Sequence, residues 1–115
     1  MAFLFRKLEA YKFSIQLAHD LECIITSIKK LGHFPLADQM RRAVLSIPIN
    51  IAEGNGRSTS ADKRRFFIIA RGSCFELVAL LELAEKFGYL NTGIRMDFER
   101  QVESMCKMLS AMSKI

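Results

Sequence analysis

Apolar residues recur at intervals of three and four almost from one end of the chain to the other, and no sustained period of two appears. That pattern predicts helices and essentially no strand. The first helix is expected from about Leu4 to Lys30, with Leu4, Leu8, Tyr11, Ile15, Ala18, Leu21, Ile25 and Ile28 on one face and Gly32 ending it. Pro35 suits a first helical turn and opens a second helix to about Glu53, with a stripe of Leu36, Met40, Ala43, Ile47 and Ile51 and a stop at Gly54. Pro48 lies inside it and removes the hydrogen bond to the Val44 carbonyl, so a kink or break is expected there.

The segment from Gly54 to Ser60 has the glycine, asparagine and serine content of a tight connection, with Ser60 expected to cap a third helix reaching about Phe87. Its inward stripe is Phe66, Ala70, Ser73, Leu77, Leu80 or Leu81, and Ala84. Ile68, Phe75, Val78, Ala79 and Leu83 make the same helix apolar around most of its circumference, which calls for more than one packing partner. After Gly88, a fourth helix carries Ile94, Phe98, Val102, Met105, Leu109 and Met112 on one face. Four helices joined by short turns predict an all-α fold, an antiparallel up-down-up-down four-helix bundle, as one domain over residues 1–115.

Composition narrows the function. Half of the 115 residues are apolar and a quarter are charged, a globular balance that excludes a disordered polyelectrolyte. No apolar stretch approaches the ~20 residues that span a bilayer. The opening from Met1 to Lys12 lacks an apolar signal core and a cleavage site, so a cytoplasmic protein without a membrane partner is expected. Cys23, Cys74 and Cys106 are distant from one another, form no CxxC and read as reduced core thiols. His19 and His33 read as surface or boundary residues with no ligand at metal spacing, and no helix carries Glu-x-x-His. Gly54-Asn55-Gly56 is too short for a dinucleotide fingerprint and follows no strand. No catalytic, metal or cofactor constellation emerges, and a non-enzymatic role is expected.

Charge is more informative. Between Gln39 and Arg71 the cations Arg41, Arg42, Arg57, Lys63, Arg64, Arg65 and Arg71 face only Glu53 and Asp62, whereas the rest of the chain is balanced, so this segment supplies the whole net charge of +5. A bundle places its centre where the second helix hands over to the third. Lys63, Arg64 and Arg65 fall in the first turns of the third helix, where a cation beside the positive end of the macrodipole costs about 0.3 to 1 kcal/mol. A bound phosphate reverses that sign, because free N–H groups, dipole and cations then all meet an anion. These seven cations are therefore the candidate nucleic-acid-binding residues. No aromatic stacking set interleaves with the arginines along the chain, so weak sequence specificity is expected.

A second polar pattern reads as structural. Gln39, Ser46, Asn50 and Glu53 follow helical spacing together with Arg42, beside the Pro48 site; the Asn50 amide is expected to help satisfy the region of the freed Val44 carbonyl, and Glu53 to pair with Arg71 or Arg42. Ser73 and Glu76, within an apolar run, are expected to join that network or a subunit contact.

The runs Gln39-Met40-Arg41-Arg42-Ala43, Ser46-Ile47-Pro48-Ile49-Asn50-Ile51-Ala52-Glu53-Gly54, Gly56-Arg57-Ser58 and Ala70-Arg71-Gly72-Ser73-x-x-Glu76-Leu77 carry a resemblance over nearly the whole chain. They resemble the bacterial four-helix-bundle family of proteins encoded in intervening sequences of large-subunit rRNA genes. The resemblance implies a small cytoplasmic bundle similar to the accessory proteins of diversity-generating retroelements, which form basic pentameric rings that bind nucleic acid and a reverse transcriptase. Lys63-Arg64-Arg65 departs from it, since relatives often place an acidic residue early in the third helix.

The expected function is thus an oligomeric, nucleic-acid-binding bundle, with a pentamer favoured and RNA or DNA held by its backbone. The alternative is a protein-interaction scaffold or homo-oligomer without a nucleic-acid role, using Phe3, Phe5, Ile68, Phe75 and Leu83 as its surface.

Overall fold

The computed structural model describes residues 2–114, with Met1 and Ile115 outside the described residues. A 3-10 turn, Leu4–Lys7, precedes four helices: α1 (Glu9–Lys30), α2 (Phe34–Asn55), α3 (Ser60–Lys86) and α4 (Thr92–Met112). Among the described residues there is no strand. The molecule measures 44 × 26 × 20 Å.

Each helix start has a local cause. Leu8 is extended, with φ −68° and ψ 129°, so the chain breaks between the 3-10 turn and α1 instead of running as one helix from Leu4. His33 Nδ1 accepts the Leu36 N–H at 3.2 Å, and Pro35 occupies the first turn of α2. Thr59, not Ser60, caps α3: its Oγ1 accepts the Asp62 N–H at 3.1 Å. Asn91 Oδ1 does the same for the Ile94 N–H at 2.8 Å. Gly32 (φ 96°) and Gly88 (φ 85°) end α1 and α3 in the left-handed region, where a side chain is strained.

α2 continues through Pro48 as one helix, so of the kink or break expected there no break occurs. Ile47, Pro48 and Ile51 are all buried, and that burial offsets the loss of one backbone bond.

The helices form a ring in which α1 packs on α2, α2 on α3, α3 on α4 and α4 on α1, with α2–α3 the most extensive seam and α1–α4 the slightest. Neighbours run in opposite directions. Ser73 meets Ser46 while Lys63 meets Asn55, so moving back along α3 means moving forward along α2. Arg41 of α2 meets Glu22 of α1, and Arg95 of α4 meets Glu85 of α3.

The core contains Leu17, Leu21, Ile25, Ile28, Met40, Ile47, Ile51, Leu77, Leu81, Met105 and Leu109, each essentially inaccessible. Each such side chain contributes about 1.5 to 3 kcal/mol of hydrophobic stabilisation. The α2 stripe is buried as expected. Along α1, Leu21, Ile25 and Ile28 are buried and Tyr11 and Ala18 half-buried as expected, but in its first half Ala10, Ser14 and Leu17 are buried where Ile15 is 45% exposed; Leu4, in the 3-10 turn, is 60% exposed. Small Ala10 and Ser14 let α1 approach its neighbours, and the Ser14 hydroxyl is satisfied by donating to the Tyr11 carbonyl at 2.7 Å. On α3, Phe67 is buried and Phe66 only half-buried.

Cys74 is buried and Cys106 half-buried, but Cys23 faces solvent, which corrects its assignment to the core; all three are free thiols. Burial pushes the Cys74 thiol up to about 12, helped by Cys106 and opposed by Arg71. No helix among the described residues is long and apolar enough to cross a membrane.

Candidate nucleic-acid interface

The turn between α2 and α3 places Arg57, Lys63, Arg64 and Arg65 at one end of the bundle. Arg41 and Arg42 lie about 20 Å from Asn55 along α2, and Arg71 about 16 Å from Ser60 along α3, at ~1.5 Å per residue. The seven predicted cations are therefore not one cluster. Four share the end and three run along the flank, because a helix carries each residue a fixed distance from its terminus.

Partners divide them further. Arg41 Nη2 reaches Glu22 Oε1 at 2.6 Å, and Arg57 Nη2 reaches Glu53 Oε2 at 2.9 Å. Lys63 Nζ donates to the Asn55 carbonyl at 3.4 Å. Among the described residues, Arg42, Lys63, Arg64, Arg65 and Arg71 have no ion pair, and all but the half-buried Lys63 are exposed.

The end carries more charge than those four residues. Lys114, arriving from α4, lines a cavity of about 310 Å³ with Ser60, Lys63, Arg64, Phe67 and Met112. Arg6 and Lys7 arrive on the 3-10 turn, whose neighbours Leu4 and Phe5 line a cavity with Asn55, Gly56 and Arg57. Sequence reasoning missed these three cations, which are separated from Lys63 along the chain but are gathered at one end by the antiparallel helices.

The arginines also find aromatic rings. Arg57 lies over Phe66 at 4.5 Å from the ring centre, with Arg65 over the same ring at 5.4 Å. Arg71 lies over Phe75 at 5.1 Å, and Arg6 over Phe3 at 5.4 Å. The pairs form across the turn for Arg57, between chain neighbours for Arg65, one helical turn apart for Arg71 and at the 3-10 turn for Arg6.

The structural polar network is smaller than expected. Asn50 Nδ2 donates to the Ser46 carbonyl at 2.8 Å and to Ser46 Oγ at 3.0 Å, and Ser73 Oγ donates to Ser46 Oγ at 2.8 Å. Glu53 instead pairs with Arg57, one turn further on, and not with Arg71 or Arg42. Gln39 and Glu76 are exposed and have no hydrogen bond among the described residues. Their long side chains sit on outer helix faces, where water satisfies them.

The opposite end is held by ion pairs. Arg95 Nε meets Glu85 Oε1 at 2.5 Å, Thr92 Oγ1 donates to Glu85 Oε2 at 2.9 Å, and Arg95 Nη1 meets Glu99 Oε1 at 2.8 Å. The hydrogen bond from Arg95 holds the Glu85 carboxyl below its ordinary range, and Glu85 in turn raises Arg95. His33 stacks on Phe87 at 5.4 Å and meets the edge of Tyr89 at 5.9 Å. Among the described residues no three His, Cys, Asp or Glu side chains group so as to hold a metal ion.

The fold defines the class: a small all-α protein built as a four-helix bundle. The particular family follows from a match of the family model for the 23S rRNA-intervening sequence protein to residues 6–111, and the chain belongs to that family. The fold is also that of a protein of unknown function from the S23 ribosomal protein family of Bacteroides thetaiotaomicron, with a TM-score of 0.86 and 20% identity, over 92% of this chain and 99% of that one. No curated protein matches the chain.

Proposed function

We propose that the protein binds the phosphate backbone of nucleic acid at the end where α2 hands over to α3, in a binding rather than a catalytic role. The observation that carries this reading is the concentration of Lys63, Arg64 and Arg65, without ion-pair partners among the described residues, at the N-terminus of α3, joined there by Lys114. A phosphate at this end meets helix N–H groups and cations together. Affinity is mainly electrostatic and falls steeply with salt. Replacing Lys63, Arg64 and Arg65 together by glutamine lowers the slope of log affinity against log salt for a single-stranded RNA by about two, at roughly 0.7 per phosphate contact. A flat salt dependence of the unaltered protein overturns the reading.

The same reading includes self-association, with five copies as the number the family resemblance implies. Its support is the outer stripe of α3, where Ile68, Phe75 and Leu83 are 47%, 59% and 44% exposed. Gly72 lies in that stripe, and a Cβ there would meet nothing within 4 Å, so the fold of a single chain gives no reason for a helix-interior glycine. A close helix approach from another copy gives one. Light scattering that returns the 13.1 kDa mass of a single chain at micromolar concentration overturns self-association.

A further inference from the structure

At the cationic end, a cavity of about 580 Å³ opens between the 3-10 turn and the end of α2, lined by Phe3, Leu4 and Phe5 on one side and by Glu53, Asn55 and Arg57 on the other. Its size falls within the range of clefts that hold small ligands. Phe3 is 53% exposed and contributes little to the core. Its ring is positioned nonetheless: it meets Phe5 edge-on at 6.1 Å, and Phe5 is fixed in turn by Tyr11 at 4.9 Å. The Arg6 guanidinium lies over the Phe3 ring. Across the cavity, Glu53 Oε2 is held by Arg57, while Glu53 Oε1 and the Asn55 side chain have no hydrogen bond among the described residues.

The combination is chemically specific. Exposed aromatic surface offers a stacking platform, Glu53 and Asn55 offer acceptors and donors to the edge of a heterocycle, and Arg6, Lys7 and Arg57 offer positive charge for flanking phosphates. We infer that this cleft receives an unpaired base of a single-stranded nucleic acid, stacked on Phe3, while the neighbouring cations hold the backbone. The inference rests on the proposed nucleic-acid role and adds that unpaired bases are distinguished from duplex. A duplex keeps its bases stacked inside and has none to offer.

The chain has no tryptophan, so Phe3→Trp installs a single reporter at the platform. A short single-stranded RNA is expected to quench its fluorescence, whereas an oligonucleotide of the same length with abasic sugars is not. In the otherwise unaltered protein, Phe3→Ala is expected to weaken binding of the single-stranded RNA about ten-fold, within the range of one lost base–aromatic stack, and to leave abasic and duplex binding unchanged. Equal affinity for intact and abasic strands, or no effect of Phe3→Ala, overturns the base cleft while leaving backbone binding standing. Failure of the unaltered protein to bind any of the three overturns both.

Discussion

The ring of Phe67 lies directly against the backbone of Gly54, so closely that a Cβ on Gly54 would stand 2.7 Å from Phe67 Cε1 and 3.0 Å from Phe66 Cβ. That approach brings the end of α2 onto the start of α3 and so sets the geometry of the cationic end. Gly54→Ala is expected to destabilise the fold by about 1 to 3 kcal/mol through overpacking. Urea denaturation measures it; an unchanged midpoint contradicts the close approach.

Gly72 is the opposite case, exposed and with open space around it. Gly72→Ala is expected to stabilise the single chain by about 0.5 to 1 kcal/mol, the usual gain of alanine over glycine inside a helix. Light scattering of the same variant should show weaker self-association, as should Phe75→Asp. Association unaffected by both variants places the subunit contact elsewhere.

Ser46 Oγ accepts from both Asn50 and Ser73. Ser46→Ala removes both bonds, but Ser73 keeps the Ile69 carbonyl and Asn50 keeps the Ser46 carbonyl. The expected loss is therefore only about 0.5 to 1.5 kcal/mol, again read from the urea midpoint.

The Cys74 thiol is held neutral by its burial. Because its folded value, about 12, lies above the ordinary 9.0, its contribution to stability is complete below pH 9.0 and is lost as the pH climbs towards 12. Below that window, iodoacetamide is expected to modify exposed Cys23 readily and to spare Cys74, as mass spectrometry of the peptides will show. Modification of Cys74 as fast as Cys23 would contradict its burial.

Glu85 works in the opposite direction. Its carboxyl is held below the ordinary 4.5, so its ion pair stabilises the fold above that pH and is lost as the pH falls through the lowered value. Glu85→Gln should melt earlier than the unaltered protein at neutral pH, and the difference should shrink in acid. A constant difference across pH would show that the charge does not contribute.

The stripe of α2 was legible because Leu36, Met40, Ala43, Ile47 and Ile51 offer a single apolar frame. In its first half α1 offers two at the same spacing, and the one selected contains Ser14, a polar residue that no hydrophobic count would place inside. Thr59 and Ser60 are adjacent hydroxyls with equal capping chemistry; only the backbone decides between them. At the candidate site, Arg57 to Arg65 was legible as a run of charge. Arg6, Lys7 and Lys114 were not, because their proximity depends on how the helices return. Nor was Phe66 as a ring shared by two arginines, since that requires the turn to fold back.

An even number of reversing helices brings the thread back to the pole from which it set out. Arg6, Lys7, Arg57, Lys63, Arg64, Arg65 and Lys114 crowd that pole against Glu9, Glu53 and Asp62, while at the other Lys29, Lys30, Lys86, Arg95 and Arg100 are matched by Asp38, Glu82, Glu85, Asp97 and Glu99. A body 44 Å long with so uneven a distribution behaves as a permanent electric dipole in solution. If a polyanion is the partner, as proposed, this dipole turns the body like a compass needle so that it arrives end-on, with the far pole and its His33, Phe87 and Tyr89 clear of the first encounter.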